Sequence, residues 1–304
     1  MANVRRFAFS LAPCVLCLLA ACETTASQPP TSAGFDAARA WDHLRAQVAI
    51  GPRVSGTPEN ARTRDYILST LAAMGIKAIE QPFEGRTPIG AVKMANIVAT
   101  LPGERPNRII LASHFDTKLF KEFRFVGASD AGSSTAALLE LARVLKDKPR
   151  PFTIELLFLD GEEAVVEWSA TDSTYGSRYY VQEAQSKGTL AGIKALILLD
   201  MIGDKDLNIR REQNSTRWLT DIIWTAARRA GHQRHFLTDI TPIEDDHLPF
   251  LAAGVPAVDI IDLDYPAWHT EADTLDNVSA ESLKIVGDVV LAALPDIEQR
   301  LLKQ

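Results

Sequence analysis

Three strand-like runs in this chain end in acids or a histidine, and two of them, 109–112 and 196–199, do not alternate with polar residues. Ile109-Ile110-Leu111-Ala112 leads into Ser113-His114-Phe115-Asp116, the run 153–159 leads into Asp160-Gly161-Glu162-Glu163, and Leu196-Ile197-Leu198-Leu199 leads into Asp200-Met201-Ile202-Gly203. A strand with no polar alternation is covered on both faces, which is the situation of central strands in an α/β sheet flanked by helices. Open sheets of this kind bind ligands beyond the carboxyl ends of their strands. The three clusters are therefore expected to meet at one edge of one sheet.

The rest of the chain fits this plan. Strand patterns fall near 78–84, 91–101, 107–113, 153–159, 194–200 and 255–262, and helical patterns near 36–49, 58–75, 132–147, 176–187, 214–230, 246–253 and 279–302. Thr57 with Pro58 behind it predicts the start of the second helix. The expected fold class is α/β, a three-layer α/β/α sandwich around a central mixed, mostly parallel sheet, without internal repeats. With 46% hydrophobic residues over 304, the chain can bury one large core, so residues 35–304 are expected to form a single domain.

The first residues follow another logic. Arg5 and Arg6 precede an apolar run, Phe7 to Ala21, that ends in Leu19-Ala20-Ala21-Cys22. This is the pattern of a lipoprotein signal, 1–21, with Cys22 as the lipidated residue; an ordinary secretory signal in which Cys22 is incidental is the alternative. Residues 22–34, rich in Thr, Ser and Pro, then read as a flexible tether. A bacterial cell-envelope location is expected, lipid-anchored at the periplasmic face. Glu23 favours the outer membrane, by resemblance to other bacterial lipoproteins. Cys14 and Cys17 leave with the signal, so the domain has no thiol for a disulfide or a cysteine zinc site. The mature chain keeps 30 Lys and Arg against 39 Asp and Glu, and a net charge of −9 argues against nucleic acid as a partner.

Asp130 stands in Gly127-Ala128-Ser129-Asp130-Ala131-Gly132, just before a predicted helix, and His269 follows Trp268 after the last core strand. A dry site gathering Asp130, Glu162, Glu163, Asp200 and His269 would hold mutually repelling carboxylates with no basic partner. A divalent cation resolves this, and O and N ligands with one position open describe catalytic zinc. Taken singly, each residue also has an ordinary role: Asp130 as a helix cap, the glutamates as solvated turn acids, His269 as a surface histidine. His43, His232 and His235 have no partners in sequence and are expected to be structural or exposed.

The order His114-x-Asp116, Asp130, Glu162-Glu163, Asp200, His269 resembles the M28 zinc aminopeptidase family from about Gly51 to the C-terminus. Further segments resemble its animal-type glutaminyl cyclase branch, glutaminyl-peptide cyclotransferases. They include His114-Phe115-Asp116-Thr117-Lys118, Asp160-Gly161-Glu162-Glu163-Ala164, Ile243-Glu244-Asp245-Asp246-His247, Gly254-Val255-Pro256 and Trp268-His269-Thr270. The resemblance implies one Zn2+ per chain, held at Asp130, Glu163 and His269. It also implies conversion of an N-terminal glutamine of peptides or proteins to pyroglutamate with loss of ammonia. Glu162 would be the proton carrier, with Asp200 and Asp245 holding the leaving amide. If Asp245 shares a proton with Asp200, Asp200 turns away from the metal and a second zinc loses a ligand. Trp168, Trp268, Lys118, Ile243 and Tyr265 are expected to bind substrate, with His114 and Asp116 behind the ligands. His247 is expected only to cap or pack its helix. Tyr265 stands where the family usually has phenylalanine, and Asp259, Asp262 and Asp264 make this segment unusually acidic. A monomer is expected. Two rival readings stay open: a two-zinc aminopeptidase, and a non-catalytic peptide-binding lipoprotein on the same fold.

Overall fold

Eight strands and seven helices succeed one another much as the apolar pattern predicts, in a computed structural model that describes residues 1–3 and 34–303. Apart from residues 1–3 and Gly34, the segments read as signal (1–21) and tether (22–34), with Cys22, lie outside the described residues. The strands are β1 (Ala78–Thr87), β2 (Gly90–Leu101), β3 (Arg105–His114), β4 (Phe152–Leu159), β5 (Ile193–Asp200), β6 (Ile209–Glu212), β7 (Phe236–Thr241) and β8 (Ala257–Ile261). The helices are α1 (Ala37–Ile50), α2 (Pro58–Ala73), α3 (Ser134–Leu145), α4 (Tyr175–Ser186), α5 (Arg217–Arg229), α6 (His247–Ala252) and α7 (Ala280–Leu301).

Six strands form one sheet in the order β1-β2-β4-β3-β5-β8. The β1–β2 hairpin and the β2–β4 pair are antiparallel, whereas β3–β4, β3–β5 and β5–β8 are parallel. This is the expected mixed sheet. Its period-two geometry sends alternate apolar residues to opposite faces. Ile109, Leu111, Ile197 and Leu199 join the large core under α1, α2, α3, α5 and α7, while Ile110, Ala112, Leu196 and Leu198 join the smaller core under α4 and α6. Unbroken apolar runs are thus explained by two helical layers, and the α/β/α sandwich stands.

Local signals behave as their chemistry requires. The Thr57 hydroxyl accepts from Asn60 N at 3.2 Å with Pro58 at the first turn of α2, and Ser279 caps α7 by accepting from Ser282 N at 3.1 Å. The short parallel pair β6–β7 was not expected from the sequence, since β6 has four residues and β7 is mostly exposed. Among the described residues, no helix is long and apolar enough to cross a membrane.

Phe35 closes the large core against α7, where a Cβ on Gly287 would fall 2.2 Å from Phe35 Cδ2. Alanine in a helix interior gains roughly 0.5–1 kcal/mol over glycine, but overpacking a core costs about 1–3 kcal/mol, so the clash wins. Gly287→Ala is expected to lower unfolding free energy by about 1–2 kcal/mol in urea denaturation; an unchanged or raised midpoint would show that Phe35 yields freely.

Candidate metal and peptide-binding site

The carboxyl ends of β3, β4 and β5, and the loop after β8, bring the acids together. Two imidazoles flank the Asp130 carboxylate. His114 Nε2 lies 3.2 Å from Asp130 Oδ1, and His269 Nε2 lies 3.3 Å from Asp130 Oδ2. His269 Nε2 is also 3.3 Å from Glu163 Oε1, and His114 Nε2 is 3.1 Å from Asp200 Oδ1. Two sets of donor atoms therefore share Asp130, namely Asp130–Glu163–His269 and His114–Asp130–Asp200, and within each set one atom per residue lies within 4.8 Å of the others.

The backbone is shaped to present these groups. Gly127 turns with φ +51°, and a Cβ there would fall 1.8 Å from the Asp130 carbonyl oxygen, so only glycine fits. Asp130 does not cap α3; the N-cap position is Ser133, and the Asp130 side chain points to the histidines. The buried Asp273 carboxylate accepts from Ser129 N at 2.7 Å and Asp130 N at 3.2 Å. Tyr265 Oη donates to the same carboxylate at 2.9 Å. Tyr265 and Asp273 flank His269, so this contact ties the His269 turn to the Asp130 loop. His269 itself has φ +54°, a left-handed conformation that costs a non-glycine residue roughly 1–2 kcal/mol and is typical of residues held for function. Its ring stacks on Trp268, with Phe120 and Phe125 edge-on at 5.6 and 5.9 Å.

At the end of β4, Asp116 accepts from Glu162 N at 3.1 Å and Glu163 N at 3.2 Å, one carboxylate oxygen for each. The turn is thereby pinned and its adjacent acids diverge. Glu163 goes to His269, while Glu162 Oε2 comes within 3.9 Å of His114 Nδ1.

Electrostatics favour a cation here. Burial and neighbouring acids raise Glu162, Glu163, Asp200 and Asp245 above the usual carboxylate range, and for Glu162 and Asp245 the rise is large. Asp130 moves the other way: burial would raise it, but His114 and His269 outweigh that and hold it well below the usual range. Burial alone would lower His269, yet Asp130 and Glu163 bring it up to about 9. Either a metal or a proton on His269 must compensate its two carboxylates. The O and N donor set and its convergence fit a divalent cation such as zinc.

Asp130, Glu162, Glu163, Asp200 and His269 line a cavity of about 540 Å³ with Lys118, Trp168, Ile243, Asp245 and Trp268. Trp268 is 42% exposed, and Trp168 Nε1 donates to Glu244 Oε2 at 2.9 Å. Lys118 turns inward, its Nζ 3.6 Å from Glu163 Oε2. Tyr265 does not line the cavity. Its hydroxyl is engaged by Asp273 and its ring is buried in the large core, which corrects the expectation that it binds substrate. Asp200 is not turned away from the His114 side, because its Oδ1 faces His114 Nε2, while the buried Asp245 Oδ2 has no hydrogen-bond partner. His247 turns aside to Glu212 Oε2 at 3.1 Å. Asp273, Phe120, Phe125 and Glu244 were not anticipated. An acid four residues after the candidate ligand His269 was the one visible signal for Asp273.

Residues 96–294 match peptidase family M28, and the chain belongs to that family. Within it, the mouse glutaminyl-peptide cyclotransferase-like protein is 33% identical over 80% of this chain and 71% of its own length. The crystal structure of Acidobacteriales bacterium glutaminyl cyclase superposes with a TM-score of 0.85 at 41% identity, covering 90% of this chain and 98% of that one. That of a leucine aminopeptidase precursor from Bacteroides thetaiotaomicron gives 0.79 at 29% identity, covering 86% and 97%. The likeness to glutaminyl cyclases thus extends to bacteria as well as animals.

Arg53, fully buried, holds the floor of the site: Nε donates to Phe115 O at 3.0 Å, Nη1 to Val126 O at 2.6 Å and Nη2 to Gly127 O at 2.9 Å. Arg53→Met is expected to cost about 3–5 kcal/mol, because three carbonyls and nearby acids lose their partner. Arg53→Lys should recover little, since one ammonium cannot span the fork. Equilibrium denaturation of both variants checks this, and wild-type stability in either would contradict it.

Proposed function

We propose that this chain is a glutaminyl-peptide cyclotransferase, which closes an N-terminal glutamine of a peptide or protein onto its own α-amine and releases ammonia. The observation that carries this reading is Glu162 beside the Asp130–Glu163–His269 set, in a cavity that also holds the unpartnered Asp245 carboxylate oxygen. The similarity to glutaminyl cyclases at 41% and 33% identity supports it.

One zinc per chain would be held by Asp130, Glu163 and His269, and when bound it supplies Lewis acidity to the glutamine γ-carbonyl oxygen. Glu162 takes a proton from the substrate α-amine as the amine nitrogen bonds to the γ-carbon. It returns that proton to the amide nitrogen as the carbon–nitrogen bond breaks and ammonia leaves. Asp245 and Asp200 accept hydrogen bonds from the leaving amide. The Trp168 and Trp268 rings exclude water and keep the amine, not hydroxide, as the nucleophile. Asp116 and Asp273 hold the backbones of Glu162, Glu163 and Asp130 in register for these steps.

A second reading, a two-metal aminopeptidase, draws on one specific observation, the His114–Asp130–Asp200 set. For the N-terminus, we read residues 1–21 as a lipoprotein signal with Cys22 anchoring a monomeric enzyme in the bacterial envelope, the outer membrane favoured. Cys22→Ala should move the protein from membrane to soluble fractions.

Incubation with a Gln-leading peptide separates the main readings. Cyclisation should release ammonia and leave the chain intact, whereas free N-terminal amino acid would indicate a peptidase. Glu162→Gln should reduce turnover by about 100-fold or more with the peptide still bound; near-native turnover would contradict its role.

A further inference from the structure

We propose that the mouth of the cavity selects peptides whose second residue is a long cation, lysine or arginine. The inference rests on the cyclase reading and concerns the residue after the glutamine.

The cavity divides by chemistry. Its interior carries Asp130, Glu162, Glu163, Asp200, Asp245 and His269, the groups a glutamine and its amine would meet. Its outer wall is formed by Val166, Glu167, Trp168, Glu244, Leu263 and Trp268. Val166 is 60% exposed and Trp268 42%, so apolar surface faces the space where a second residue leaves the site.

Set among that apolar surface are two exposed carboxylates, Glu167 and Glu244. Neither forms an ion pair among the described residues. Glu244 is fixed by the Trp168 indole N–H at 2.9 Å, a neutral donor that orients the carboxylate without cancelling its charge. Among the described residues, the one lysine or arginine lining the cavity, Lys118, is spent inward, 3.6 Å from Glu163 Oε2 and 3.5 Å from the Ala164 carbonyl.

A side chain matched to this wall has an aliphatic stem for Trp268, Val166 and Leu263 and a positive head for Glu167 and Glu244. Lysine and arginine have both, and their heads gain further from indole faces. An acidic second residue would bring a third carboxylate to two that are already unbalanced.

The test uses the full mature chain, metal-loaded, and three peptides identical except for Gln-Arg, Gln-Ala or Gln-Glu at the N-terminus, with kcat/KM read as ammonia release. The expected order is Arg above Ala above Glu, with about two- to five-fold at each step at low ionic strength. The spread should narrow as salt is raised to about 0.5 M, because exposed charges are screened. Glu167→Gln with Glu244→Gln should compress it further, whereas Glu104→Gln, at the opposite end of β3, should not. Equal kcat/KM for the three peptides, or a preference for Gln-Glu, overturns the inference while leaving the cyclase reading intact. Absence of ammonia from all three removes both. If the double variant fails to fold, the order and salt dependence on the native chain still decide.

Discussion

One carboxylate lies between two imidazoles, and the site is arranged around it. Asp130 receives His114 on one oxygen and His269 on the other, and it is common to two of the three candidate metal sets among the described residues. Burying this group together with Glu162, Glu163, Asp200 and Asp245 is tolerable only with compensating positive charge. The surrounding structure supplies position, and part of the charge through the buried Arg53 and through Lys118. Asp116 and Asp273 grip backbone amides, Arg53 grips backbone carbonyls, and the Phe120, Phe125 and Trp268 rings enclose the His269 imidazole. These outer partners orient ligands whose own conformations, such as the left-handed His269, are unfavourable in isolation.

Much of this is legible in the sequence. Continuous apolar runs ending in acids point to the double-sided sheet and its active edge, because strand periodicity and helix cover leave that signature. Asp130 and His269 are legible through their place just before a predicted helix and after the last core strand. Arg53 is not, because it binds main-chain groups of distant segments and such contacts impose no pattern on its own neighbourhood; Asp273 leaves only its spacing from His269. Tyr265 shows the same limit from the other side. The family resemblance puts it at the pocket rim, where phenylalanine usually stands, but its hydroxyl finds the buried Asp273 inside. The β6–β7 pair escapes sequence reading because strands this short lack the alternation that separates strand from loop.

The scaffold is shared with proteins named as a glutaminyl cyclase and as a leucine aminopeptidase precursor. The difference between the readings reduces to whether His114 and Asp200 hold an ion or each other. Asp200 Oδ1 lies 3.1 Å from His114 Nε2 and Glu163 Oε1 lies 3.3 Å from His269 Nε2, so both sets have comparable spacing and the distinction lies in the chemistry. The nucleophile of a cyclase is already tethered to its electrophile, so a second metal has no hydroxide to deliver.

Anomalous scattering from zinc-loaded crystals tests this most directly. One peak is expected, about 2.0–2.2 Å from ligand atoms of Asp130, Glu163 and His269. Two peaks bridged by Asp130, or a single peak among His114, Asp130 and Asp200, would contradict it.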